Sequence, residues 1–154
     1  MSYREKIAWI SIVTILTIWG YYCVRALPAL AAGTGDVGDF VGLFIGCTIL
    51  SVVVQVALTV VAALMHPDDA EARADEREAM YDLRSSRIAY LILSTLVATA
   101  ALASPVVVAA SPTLFPADPL ASAVLVMGNL ILLSLIAAEL VRAAVQIGHY
   151  RRGA

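Results

Sequence analysis

Four apolar runs, each long enough to cross a bilayer, decide what this chain can become. They are AWISIVTILTIWGYYCV at residues 8–24, reaching toward Leu27, FVGLFIGCTILSVVVQVALTVVAALM at 40–65, IAYLILSTLVATAALASPVVVAA at 88–110 and LASAVLVMGNLILLSLIAAELVRAAV at 120–145. A helix needs about 20 apolar residues to span a hydrocarbon core of ~30 Å. Only 14% of the 154 residues are charged and 61% are apolar, whereas soluble domains carry about 25% charged residues. The sequence therefore predicts one all-α, four-helix membrane domain over residues 1–154, with spans near 8–27, 40–65, 88–110 and 120–145. The first run exceeds the 7–15 apolar residues usual for a signal peptide, and Tyr21, Tyr22, Cys23 and Arg25 stand where small residues would favour cleavage. It reads as a retained helix.

Lysine and arginine in short loops set orientation. Arg4, Lys6, Arg73, Arg77, Arg84, Arg87, Arg142, Arg151 and Arg152 fall on one side, and Arg25 falls on the other. This asymmetry predicts a multi-pass membrane protein with both termini and the hairpin 66–87 in the cytoplasm. Residues 28–39 and 111–119 then form outer loops. Trp9 and Tyr3, and Trp19, Tyr21 and Tyr22 at the other end of the first span, suit interfacial aromatic belts. Pro105 follows Ser104 inside the third run, where a kink is expected.

The hairpin HPDDAEARADEREAMYDLRSSR holds seven of the twelve acids and four arginines. His66–Pro67 closes the second span, Asp68 is a favourable N-cap, and Glu71 stands three residues on, as in a capping box. From Asp69 onward no Gly or Pro interrupts the segment, so the third helix is expected to begin near Asp69 and project about four turns from the membrane. Glu76, Met80, Leu83, Arg87 and Tyr90 recur on one side of it. The bland reading is a solvated charged helix. The functional one is a docking surface, because anionic lipid favours a basic anchor and this segment is acidic. In that reading Asp75, Glu76, Glu78 and Asp82 attract a basic partner, Met80, Tyr81 and Leu83 anchor it, and Arg77 and Arg87 brace the helix.

Within the spans, Gly38, Gly42 and Gly46 recur every four residues. They mark close helix packing, either a homodimer seam or a contact within one chain. Gln55 and Asn129 read as interhelix hydrogen bonds, and Glu139 with Arg142 three residues later as an anchoring ion pair. The rival reading joins Gln55, Asn129 and Glu139 into the pathway of a small dimeric transporter or channel, and a structural subunit of a larger membrane complex is a third alternative. Cys23 and Cys47 both fall in the outer halves of antiparallel neighbours, where a disulfide is geometrically possible. They read as free thiols, because buried cysteines more often behave as small apolar residues. His66, Asp68, Asp69, Glu71 and His149 fit no metal motif, and no nucleophile–base pair or phosphate-binding loop is present, so neither cofactor nor catalysis is expected.

The opening YREK, the segment ADEREAMYDLRSSRIAY and the closing ELVRAAVQIGHYRRG together resemble small bacterial four-helix membrane proteins of a domain-of-unknown-function family. The resemblance spans nearly the whole chain through short motifs. It implies that Asp75, Glu76 and Arg77, with Arg87, Tyr150, Arg151 and Arg152, are the marked cytoplasmic positions. It implies no enzymatic activity. Such proteins are often encoded beside compact helix-turn-helix regulators, which implies a membrane receptor that holds a DNA-binding protein without touching nucleic acid itself.

Overall fold

In the computed structural model, residues 3–32, 37–65, 76–114 and 118–152 are described. They form four helices: α1 (Tyr3–Ala32), α2 (Val37–Met65), α3 (Glu76–Leu114) and α4 (Pro119–Arg152). Each is long and apolar enough to cross a membrane, and the chain is a multi-pass, all-helical membrane protein. The lateral order is α2–α1–α4–α3. Helix α1 packs against α2 on one side and α4 on the other, and α4 packs along α3.

What is buried explains why the helices associate without water to drive them. The interior is dominated by small side chains: Ala8, Ala26, Ala89, Ala100, Ala123, Ala138 and Ala143, with Ser11, Thr14, Ser85, Ser111 and Ser134. Valine, leucine and isoleucine line the outside of α2 and α3. Lipid is as apolar as leucine, so association depends on close backbone approach and interhelix hydrogen bonds, which small residues permit.

The helices run farther than the apolar runs alone indicate. Helix α1 continues through Pro28 to Ala32 and α2 begins at Val37, so residues 28–32 and 37–39, expected in a loop, are helical. Helix α4 extends to Arg152, one and a half to two turns past the apolar run. Its start has a clear local cause: Asp118 Oδ1 accepts from the Ala121 amide at 3.0 Å, and the Asp118 carbonyl accepts the Ser122 amide at 3.1 Å. Asp118 is thus the N-cap and Pro119 occupies the first helical position, where a missing N–H costs nothing.

Helix α3 is continuous through Pro105, where the sequence predicts a kink, and through Pro112, which the sequence places in the outer loop 111–119. Each proline lacks the N–H that would bond the carbonyl four residues back, Ala101 for Pro105 and Val108 for Pro112. In both cases the preceding serine supplies a replacement donor. Ser104 Oγ donates to the Ala101 carbonyl at 2.8 Å, and Ser111 Oγ donates to the Val108 carbonyl at 2.8 Å. The helix passes both prolines because the orphaned acceptors are satisfied locally, as lipid demands. The start expected near Asp69 and the capping residues His66, Asp68 and Glu71 lie outside the described residues.

Candidate functional site

Two groups of polar and aromatic side chains stand apart from the apolar background. One gathers at the end of the molecule where α1 and α3 begin and α4 finishes. The last turn of α4 carries His149, Tyr150 and Arg151 between the two neighbouring helices. Toward α3, the His149 ring lies parallel to Tyr81 with centroids 5.1 Å apart, and Tyr150 meets Tyr81 edge-on at 5.9 Å. Toward α1, Arg151 Nε lies 3.7 Å from Glu5 Oε1, and its guanidinium sits 5.7 Å from the Trp9 ring centre. One turn below Tyr81, Ser85 is fully buried and donates to the Asp82 carbonyl at 2.9 Å. The start of α3 is thus held to α4 through Tyr81, with Ser85 and Ala89 buried below it on the same face at four-residue spacing.

The opposite face of the same segment is open. Met80 is 62% exposed and Leu83 72% exposed, and Asp82, Arg84, Arg87 and Tyr90 are exposed with them. Tyr81 does not join Met80 and Leu83 on the free face; it packs inward against α4. Arg87 is exposed and forms no ion pair with the described residues. The helix backbone begins at Glu76; the side chains of Glu76 and Arg77, and all of Asp75, lie outside the described residues.

The second group lies deep among the spans. Tyr22 Oη donates to Asn129 Oδ1 at 3.0 Å, joining α1 to α4, and Asn129 Nδ2 donates to its own helix at the Leu125 carbonyl, 2.9 Å away. Trp19 and Phe44 both pack edge-on to Tyr22, with centroids 5.7 Å and 6.3 Å from it. Tyr22, assigned by sequence to an interfacial belt, is instead 3% exposed. It lies ten residues before the end of α1, about 15 Å along the helix. Only Tyr21 of that pair faces outward. The available signal was the spacing of Ser11, Thr14, Ile18, Tyr22 and Ala26, a helical stripe of small and polar residues that becomes the buried face of α1.

Gln55 Nε2 donates to Ser11 Oγ at 2.9 Å, which ties α2 to α1. Ser11 and Tyr22 are eleven residues apart on α1, about 16 Å. Glu139 pairs with Arg142 at 3.1 Å on an exposed face of α4. Within one chain Gln55, Asn129 and Glu139 thus occupy three separate places, each with its own partner. Cys23 and Cys47 are both free thiols. Among the described residues no group of His, Cys, Asp or Glu is placed to hold a metal. His149 stacks on Tyr81, while His66, Asp68, Asp69 and Glu71 lie outside the described residues. Gly42 and Gly46 face outward, and a Cβ built at either meets nothing within 4 Å, so neither makes a close contact with another of the described helices.

Comparison with protein-family models, with curated proteins and with solved structures found no match.

Proposed function

We propose that this protein is a non-enzymatic docking protein of the bacterial inner membrane, with both termini in the cytoplasm, that holds a basic soluble partner at the projecting end of α3. The observation that carries this reading is the pairing of a fixed face with a free one on residues 78–90. Tyr81 and Ser85 fasten the helix to α4, while Met80 and Leu83 remain exposed beside Asp82. These apolar side chains lie beyond Arg84 and Arg87, whose charges belong at or outside the headgroups. Exposed apolar residues rimmed by charge mark interaction surfaces. Acidic residues alongside select a basic partner and speed its capture. A small helix-turn-helix regulator held by its DNA-facing surface is the partner that fits this charge and the family resemblance. A second copy of the chain would pack at Gly42 and Gly46, whose face is left open within one molecule.

The test places a photo-crosslinking residue at position 80 or, as an inward-facing control, at position 81, in cells that produce the full chain. Position 80 should crosslink a basic soluble protein, and Glu76→Lys with Glu78→Lys should abolish that product without changing membrane insertion. The same products from positions 80 and 81, or from the reversed variant, would refute docking.

A further inference from the structure

The cleft beside Tyr22 and Asn129 has properties that packing alone does not require. It encloses about 210 Å³ between α1, α2 and α4, walled by Tyr22, Phe40, Phe44, Leu125 and Leu132, with Gly128 and Asn129 at its back. Gly128 opens onto space, since a Cβ there meets nothing within 4 Å. Val41, Phe44 and Val124, at its mouth, are exposed, so the cleft opens sideways toward lipid. We infer that this cleft binds a lipophilic quinone, whose ring lies among Tyr22, Phe40 and Phe44 and whose carbonyl accepts a hydrogen bond from Asn129.

Four observations select that chemistry. An amide NH₂ has two hydrogens, and only one of Asn129's is used, at the Leu125 carbonyl. The hydroxyl of Tyr22 donates to Asn129, which leaves its oxygen lone pairs as acceptors. For a quinone carbonyl the site therefore offers one donor, on a side chain more than nine-tenths buried, with Asn129 at 6% exposure. For the hydroxyl of the reduced quinol it offers the Tyr22 oxygen beside it as acceptor. An acyl chain can use neither. Depth excludes a phospholipid headgroup: Asn129 stands ten residues inside the start of α4, about 15 Å along the helix, in hydrocarbon. Size limits the occupant to a single ring, because an apolar cavity of about 150 Å³ takes benzene. The aromatic walls suit offset or edge-on packing of a flat ring, and the open side lets an isoprenoid or alkyl tail run out into the bilayer. This site is remote from the docking face, and neither proposal depends on the other.

Trp19 makes the test direct, since it packs against both Tyr22 and Phe44, at 5.7 and 6.0 Å between ring centres. The chain has two tryptophans, and Trp9→Phe leaves Trp19 as the single reporter. In lipid nanodiscs, a short-chain alkyl benzoquinone should quench it saturably, whereas the matching alkyl alcohol should not. Gly128→Leu fills the cleft from its empty back wall and leaves the polar pair intact; it should abolish saturation while helicity is retained. Asn129→Ala should weaken binding about fivefold, the loss of one hydrogen bond. Ala103→Leu, in the separate groove between α3 and α4, should change nothing. A parallel measurement needs no variant: the quinone should raise the unfolding temperature of the native chain in proportion to its occupancy. Quenching that rises linearly with quinone content in every variant, or the absence of a quinone-specific thermal shift, overturns the assignment.

Discussion

Replacing Ser104 by alanine should cost far more than the loss of a serine hydroxyl from a lipid-embedded helix normally does. In most helical positions that hydroxyl is redundant. Ser94 Oγ donates to the Tyr90 carbonyl at 2.8 Å, an acceptor that already receives the Ser94 amide through the helix itself. Ser104 differs because the Ala101 carbonyl it serves would otherwise bond the amide of residue 105, and residue 105 is proline. Ser104→Ala therefore leaves an acceptor with no donor in a setting without water. An unsatisfied buried polar group costs about 1–3 kcal/mol, so we expect about 2 kcal/mol for Ser104→Ala and under about 0.5 kcal/mol for Ser94→Ala, where only a redundant bond is lost. Pro105→Ala restores the missing amide, so the Ser104→Ala penalty should largely vanish in that background. Reversible unfolding of the four variants in mixed micelles measures the cycle, and a coupling of about 2 kcal/mol corresponds to a roughly thirtyfold change in the unfolding equilibrium. Equal costs for Ser94→Ala and Ser104→Ala, or the same Ser104→Ala cost with and without Pro105, would refute the reasoning.

Three further outcomes follow from the other contacts. Tyr22→Phe and Asn129→Leu should show a coupling of about 0.6–1.7 kcal/mol in a double-mutant cycle measured by steric trapping, the range for an interhelix hydrogen bond in a bilayer; additive losses would mean that the pair contributes nothing specific. Tyr81→Ala removes two ring contacts of about 0.5–1.5 kcal/mol each, so a spin label at position 80 should become more mobile while the spans keep their helicity. Gly46→Leu has room within the chain and should leave the monomer's stability unchanged, yet convert a dimer to monomer when mass is measured after gentle solubilisation.

The spans are legible in the sequence because a bilayer imposes a length and a polarity that composition records directly. Where the helices end is harder to read. Apolar runs mark hydrocarbon, whereas α1 passes Pro28 to Ala32 and α4 reaches Arg152, where its last turn has aromatic and charged neighbours. The continuity of α3 was hidden for a chemical reason: proline breaks a helix by removing a donor, and only the geometry at Ser104 and Ser111 reveals the substitute. Partner identity is the least legible feature of all. Asn129 and Gln55 are conspicuous as polar residues in apolar runs, but Tyr22 and Ser11 are not, since a tyrosine near a span's end fits an interfacial belt equally well. Likewise, helical periodicity grouped Met80 and Leu83 correctly on one side, but nothing in the pattern tied Tyr81 to a histidine 68 residues later.

The lateral order α2–α1–α4–α3 also has a consequence for biogenesis. Helix α4 leaves the ribosome after the other three, yet it is the element against which both α1 and α3 close. Its bond to α1 joins residues 107 positions apart, among the most distant pairs a chain of this length can make, and such contacts form late. Until α4 inserts, the small-residue faces of α1 and α3 are covered only by lipid. A truncated chain would thus hold most of its hydrophobic length in the membrane while lacking the seam that makes it one body, a state that quality-control proteases could distinguish from the finished protein.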